Sequence, residues 1–206
     1  DLVGIPWRVA LALQQDGWYL RSDIIWHKPN AMPESAQDRP TRDHEYIFLF
    51  SKNQKYYYDA DSIREPHTSL DDLKRRKNKT YSQNITRGGT AEQTLGRNRG
   101  EFYHPKGRNK RTVWKIKIKP SPDTHFAVFP KDLIRPCIQA GCPEDGIVLD
   151  TFAGSGTTLE VATELNRRYV GIELNTDYLR LIKKRLGLTT FFADTKEMEK
   201  KNKQSY

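Results

Sequence analysis

Apolar residues fall along this chain in short blocks whose period changes from block to block, and each period predicts an element. Gly4-Ile5-Pro6-Trp7 opens a helix, with proline in the first turn where a missing N–H costs nothing. Val9, Ala10 and Leu13 continue its apolar face, and Asp16-Gly17 closes it. Residues 18–26 alternate, with Trp18, Leu20, Ile24 and Trp26 on one side and Arg21 and Asp23 on the other, which predicts a strand. Residues 45–50 are a continuous apolar run of the kind found in a sheet centre, and residues 56–61 a hairpin return or extended edge. Residues 113–119 alternate Val, Trp and Ile with lysine, a half-buried strand with a basic outer face. A helix is expected over residues 131–140, with Leu133, Ile134, Cys137 and Ile138 inward, although Pro136 lies inside it. Thr176 is expected to cap a last helix ending at Leu186, with Tyr178, Leu181, Ile182 and Leu186 on one face and Gly187 as its stop.

Residues 146–175 organise the rest. Ile147, Val148 and Leu149 form a short strand expected to be buried on both faces, and Asp150 ends it. Phe152-Ala153-Gly154-Ser155-Gly156-Thr157 makes a tight turn, with glycine where the backbone takes positive φ or approaches a ligand. A helix follows, with Leu159, Ala162 and Leu165 on one face, then a second strand over residues 169–174 that contains Glu173. Two acids thus stand at the carboxyl ends of neighbouring parallel strands, where open α/β sheets bind ligands. An acid about twenty positions past a glycine turn is placed to accept hydrogen bonds from ribose hydroxyls. The turn is neither G-x-G-x-x-G nor G-K-[ST], so no lysine is placed to hold a triphosphate.

Charge separates one block from the remainder. The formal net charge is +9, and residues 64–119 hold 16 Lys/Arg against 5 Asp/Glu, leaving the rest of the chain slightly negative. Residues 65–111 are rich in Gly, Asn and Thr with few aliphatics, an insertion that would order against a polyanion. The 206 residues suit one domain with such an insert. No apolar run approaches 18 residues and no signal-peptide pattern occurs, so a cytoplasmic protein without a membrane partner is expected. Cys137 and Cys142, with no second pair nearby, read as reduced thiols rather than a metal or disulfide site. The chain starts at Asp1-Leu2-Val3-Gly4 without methionine and is expected to continue something longer.

D-x-F-x-G-S-G-T followed by the ribose-type acid resembles the cofactor motif of S-adenosylmethionine-dependent DNA amino-methyltransferases. Other segments resemble the same family: L-V-G-I-P-W-R-V-A-L-A-L the helix after its catalytic loop, and D-I-I-W-H-K-P-N and R-D-H-E-Y-I-F-L-F-S-K two strands of its catalytic half. T-H-F-A-V-F-P resembles the loop that packs on the methionine moiety. The resemblance covers most of the chain, and the order of segments is that of the family's β group. It implies an α/β, Rossmann-like methyltransferase fold with a mostly parallel sheet and a basic, loop-rich recognition insert. Residues 1–63 would be catalytic-half elements, 64–111 the target recognition insert, 112–190 the cofactor-binding half, and 191–206 a flexible tail.

By that resemblance Asp150, Phe152, Ala153, Gly154, Ser155, Gly156 and Thr157 line the methionine end of an S-adenosylmethionine pocket. Glu173 holds the ribose, Asn175 lies near the adenine, and Thr124, His125 and Phe126 close over the methionine. Double-stranded DNA is the expected partner, met by Lys28, His44 and Tyr46 near the target base and by Arg75, Arg76, Arg87, Arg97, Arg99 and Arg108 in the insert. No metal is expected. Assembly would involve a homodimer or a complementary N-terminal segment, in a protein of prokaryotic or phage type. The implied reaction moves a methyl group to the exocyclic amine of a flipped adenine or cytosine, as in a modification methylase. The family's Asp/Asn/Ser-Pro-Pro-aromatic loop, which accepts hydrogen bonds from that amine, occurs nowhere in the 206 residues. This chain alone is therefore expected to bind cofactor weakly and not to methylate. A DNA-binding remnant or one half of a split methyltransferase is the alternative, and an RNA or protein methyltransferase is disfavoured by the basic insert.

Overall fold

The computed structural model describes residues 2–67, 104–119 and 128–188. Thr124, His125 and Phe126, and Arg75, Arg76, Arg87, Arg97 and Arg99, lie outside the described residues, as does the expected tail. The chain divides into a main unit, Asp1–Tyr58 with Thr112–Tyr206, and a second unit, Asp59–Arg111.

In the main unit helix α1 (Ile5–Gln15) carries Pro6 in its first turn and ends at Asp16 and Gly17, the latter at φ 89°. Strand β1 (Tyr19–His27) pairs antiparallel with β2 (His44–Ser51), from Tyr19 opposite Ser51 to His27 opposite His44. A bulge between Leu20 and Ser22 interrupts the alternation expected there. Strand β3 (Val113–Lys115) adds parallel to β1, giving the order β2-β1-β3. The strand expected over residues 113–119 is shortened because the Asn30 side chain replaces the ladder: it donates to Ile118 O and accepts from Ile118 N, both at 2.9 Å.

The continuous apolar run of β2 is explained by cover on both faces. Trp7 of α1 packs edge-on against Tyr46 and Phe48, at centroid distances of 5.2 and 4.9 Å. On the other face, Ile24, Ile47, Trp26 and Trp114 meet Leu133 and Cys137 of helix α2 (Lys131–Gly141). Trp26 is buried and its indole N–H donates to Ile116 O at 2.8 Å, so the ring is core. Val9, expected on the buried face of α1, is exposed; the helix docks through Trp7 and Ala10 instead. Residues 56–61 form no strand. Arg21 lies between the Tyr19 and Tyr56 rings and donates to Asn53 O and Gln54 O, pinning that segment as an irregular turn.

Pro136 does not break α2, which spans eleven residues. The helix presents Leu133 and Cys137 to the tryptophans and Ile134 and Ile138 to a second cluster, with Val161, Ala162, Val148 and Tyr169. That cluster lies beneath β4 (Ile147–Asp150) and β5 (Arg168–Gly171), paired in parallel and joined by helix α3 (Thr157–Glu164). Among the described residues two of the three strand pairings are therefore parallel. The expectation that β4 is buried on both faces is corrected here. Val148 faces the helices, while Ile147 and Leu149 are more than half exposed, because the described helices cover one side of the pair only. Helix α4 (Thr176–Leu186) packs Ile182 on Leu159 and Ala153 and ends at Gly187, φ 63°. Its cap is Asn175 rather than Thr176: the Asn175 side chain accepts from Asp177 N at 2.9 Å.

In the second unit Glu65 and Arg108 exchange both backbone hydrogen bonds, each 2.9 Å. Gly107 is needed beside that bridge, since φ is +112° and an added Cβ would stand 2.3 Å from Glu65 O. Arg64 ties the loops together, donating to Asp61 at 2.6 Å, Asn109 at 2.8 Å and Gly107 O at 3.1 Å. Among the described residues no helix is long and apolar enough to cross a membrane.

Candidate functional site

The βαβ unit delivers its polar groups to one end. Strand β4 stops at Asp150, whose carboxylate accepts from Phe152 N at 3.0 Å and starts the turn. Gly154 and Gly156 both take positive φ, 54° and 83°, which lets the chain double back into α3 within six residues. Ala153 N donates to Ile172 O and Ile172 N donates to Asp150 O, so the turn is stitched to the end of β5. Glu173 then spans the gap. One oxygen accepts from Gly154 N and the other from Asn175 N, both at 2.8 Å.

The two sides of this turn differ. Phe152 is 89 % exposed and Leu174 97 %, and beyond Gly154 an added Cβ would meet nothing closer than Phe152 O at 3.9 Å. Ala153, Ser155 and Thr157 are buried. The Ser155 and Thr157 hydroxyls point inward and accept from Arg185 Nη1 at 3.2 and 3.0 Å, so these two positions offer a ligand their backbone rather than their side chains. These bonds join Gly154, Glu173 and Asn175, and Asp150 begins the same turn. Sequence reasoning does not single out Arg185: it lies in the last turn of α4, and nothing in a linear pattern ties it to residues thirty positions earlier.

A second polar constellation lies between α1 and the ends of β1 and β2. Pro6, Lys28, Glu34, Arg42, His44, Glu45 and Tyr46 line a cavity of about 480 Å³. Lys28, His44 and Tyr46, expected near a target base, are therefore neighbours in space. Asp43 bridges two imidazoles, 3.2 Å from His44 Nδ1 and 3.3 Å from His27 Nε2. The His44 hydrogen bond, with the charges of His27 and His44 and against a smaller desolvation, holds the Asp43 carboxyl below its ordinary value. His44 Nε2 lies 3.4 Å from the Tyr46 hydroxyl. Lys28 pairs with Glu45 and stands 4.6 Å over the Trp26 ring. Arg108 of the second unit is paired with Glu65 at 3.1 Å and braces that unit. Among the described residues no group of three or more His, Cys, Asp or Glu is arranged to hold a metal ion.

A model of the DNA methylase family matches residues 2–184. Type II methyltransferase M.SmaI of Serratia marcescens is 50 % identical over 186 residues, covering 90 % of this chain and 52 % of that protein. Type II methyltransferase M.Cfr9I of Citrobacter freundii is 47 % identical over the same length, covering 90 % and 50 %. Two solved structures share the fold: the cytosine-N4-specific PvuII DNA methyltransferase, at TM-score 0.61 and 18 % identity over 94 % of this chain and 60 % of that one, and M1.HpyAVI in complex with SAM, at TM-score 0.59 and 24 % identity over 91 % and 72 %. The α/β, Rossmann-like architecture expected from the sequence is the one these structures have. The chain spans about half the length of the curated relatives it matches.

Proposed function

The chain belongs to the DNA methylase family, and on that footing we propose that it carries the cofactor site and part of the base site of an S-adenosylmethionine-dependent DNA amino-methyltransferase, a modification methylase acting on adenine or cytosine. One observation carries the cofactor assignment: Glu173 is fixed by the Gly154 and Asn175 amides at the mouth of the turn, beside Asp150. A carboxylate has about four acceptor positions. Two are used, leaving Glu173 able to accept both hydroxyls of a ribose. Asp150 has one oxygen on Phe152 N and can direct the other to an ammonium group. The exposed Phe152 and Leu174 supply apolar surface for an adenine and a thioether chain. These features fit S-adenosylmethionine in chemistry as well as in number.

When bound, S-adenosylmethionine supplies a methyl group on a positively charged sulfur. The chain's own work is placement: the turn and Glu173 hold the nucleoside, and the cavity at His44 and Tyr46 receives the extruded base. Lys28 and Arg42 border that cavity, where a displaced phosphate would pass. The hydrogen-bond acceptors for the amine would come from residues outside these 206, because no Pro-Pro-aromatic loop is among them. Arg75, Arg76, Arg87, Arg97 and Arg99 are the proposed phosphate contacts of a recognition insert over residues 64–111. A cytoplasmic protein is proposed, with the open face at Ile147 and Leu149 covered by a complementary N-terminal segment or a second copy.

Calorimetric titration of the protein with S-adenosylmethionine, ATP and NAD tests the assignment. Binding of S-adenosylmethionine alone, lost in Asp150→Ala, is the expected result. Preference for ATP or NAD overturns it. Duplex DNA should bind with a steep inverse dependence on salt, and a flat dependence would remove the phosphate-contact role.

A further inference from the structure

Helix α4 follows the βαβ unit in sequence, yet two of its residues grip the glycine turn from behind. Ile182 fills the space at Gly156: an added Cβ there would stand 2.9 Å from Ile182 Cγ1. One turn later, Arg185 Nη1 donates to Thr157 Oγ1 at 3.0 Å and to Ser155 Oγ at 3.2 Å. Ser155 and Thr157 are both buried, and this single guanidinium nitrogen donates to each of their hydroxyls. The guanidinium is itself held. Its Nε lies 3.8 Å from Glu160 Oε2, and the other Glu160 oxygen is 2.6 Å from Lys131 Nζ. Lys131 is the first residue of α2. An unbroken polar chain therefore runs from the start of α2 through Glu160 and Arg185 to the two hydroxyls of the turn.

We propose that Arg185 is a positioning residue for the cofactor turn: by holding Ser155 and Thr157 from the protein side, it fixes the Gly154–Glu173 mouth on the other side in its binding geometry. The inference rests on the proposed cofactor site and adds to it a residue outside the motif. The physical reason is the backbone. Two positive-φ glycines flank Ser155, so the turn has more conformational freedom than any other residues could give it, and the Arg185 contacts join the backbone bonds of Ala153, Gly154 and Gly156 in removing that freedom. Arginine suits the task because it stays charged at all relevant pH and offers several donors from one rigid plane. Removing it takes the guanidinium from two buried hydroxyls and leaves Glu160 with Lys131 alone of these two cations.

The test compares the protein with Arg185→Ala, with Ser155→Ala/Thr157→Val, with all three changes together, and with Arg180→Ala. Arg180 lies on the same helix, is exposed, and pairs with Asp177 rather than with the turn, so it controls for charge and helix effects. Two quantities are read well below the melting temperature: the Kd for S-adenosylmethionine, and amide hydrogen exchange of Gly154, Ser155 and Gly156 in the absence of ligand. Arg185→Ala should weaken binding about tenfold, the factor expected when charge-assisted hydrogen bonds to a binding loop are lost. It should also speed exchange in the turn, and Arg180→Ala should do neither. Adding Ser155→Ala/Thr157→Val to Arg185→Ala should change Kd less than twofold, because the three residues act through one contact. A lowered melting temperature with unchanged Kd and unchanged exchange in the turn overturns the proposal and leaves Arg185 a merely structural residue. Should the unaltered protein bind no S-adenosylmethionine, the cofactor reading fails, and exchange in the turn still decides whether Arg185 holds it.

Discussion

Gly156→Ala is the most demanding single test of how the site is built. Gly156 sits at φ 83°, ψ 24°, immediately before α3. An L-residue in this left-handed region costs about 1–2 kcal/mol by crowding of Cβ against the backbone. Position adds a second penalty, since the new methyl would stand 2.9 Å from Ile182 Cγ1 and 3.6 Å from Ile182 Cβ and Cγ2. Ile182 is 3 % exposed and β-branched, so it can retreat only by disturbing Leu159 and Ala153; overpacking of this kind costs about 1–3 kcal/mol. The expected total is about 2–5 kcal/mol, read as a shift of the urea midpoint at unchanged slope. Gly4→Ala supplies the control: its φ is 68° but nothing lies within 4 Å, so it should show the conformational penalty alone, about 1–2 kcal/mol. In Gly156→Ala/Ile182→Ala the obstacle is gone, and the double variant should lose less than the sum of the singles. If Gly156→Ala costs no more than Gly4→Ala, Ile182 does not support the turn and the reasoning from close packing is wrong.

Three further outcomes follow from other parts of the molecule. Trp26→Phe removes a buried indole N–H from Ile116 O, 2.8 Å away, and should cost about 1–3 kcal/mol in denaturant unfolding because the carbonyl loses its partner. Asn175→Ala removes the cap of α4 and should cost about 1 kcal/mol, with Asn175→Asp close to neutral in the same assay. Glu164 is held below its ordinary value of 4.5 by hydrogen bonds to Lys131 and Arg135. A depressed carboxyl adds stability that is present above the ordinary value and lost as pH falls through the lowered one, so the melting temperature should drop on acidification below about pH 4.5, less steeply in Glu164→Gln. Lys131 behaves in the opposite sense: burial alone would lower it, but bonds to Glu160 and Glu164 raise it above 10.5, so its contribution holds through neutral pH and fades only in strong alkali.

The parts of the fold that were legible in the sequence are those set by local physics. Period and caps place α1, β1, β2, α2 and α4 to within a residue or two, because an apolar face must repeat with the element that buries it. The glycine turn and its two acids are legible for the same reason, since both depend on spacing along one βαβ unit. What stayed hidden depends on partners far away in sequence. The shortened β3 follows from Asn30 reaching Ile118, and the irregular segment after β2 follows from Arg21 reaching Asn53 and Gln54. Side-chain direction is equally nonlocal. Ser155 and Thr157 fit a motif that suggests contact with a ligand, yet both hydroxyls turn inward, because α4 returns an arginine to that spot.

Glu173 shows why position in a motif and role in a reaction need separate measurements. Its carboxylate closes the turn on itself, through Gly154 and Asn175, before any ligand is present. A loss of cofactor binding in Glu173→Gln could therefore arise in two ways: a missing acceptor for the ribose, or a turn that has opened. The amide of glutamine keeps one oxygen and replaces the other with a donor, so one of the two backbone N–H groups must face another N–H. Bonds from backbone N–H to a carboxylate are worth about 1.5–3 kcal/mol, at the lower end here because Glu173 is only partly buried. Glu173→Gln should accordingly unfold at lower denaturant without ligand, by about 1–2 kcal/mol. A ribose contact adds a separate quantity, read as the loss of affinity for S-adenosylmethionine relative to a cofactor analogue that lacks the ribose hydroxyls. If Glu173 serves both ends, the variant is less stable alone and no longer distinguishes the two ligands. If it keeps that discrimination while losing stability, Glu173 is a latch for the turn and the ribose is held elsewhere.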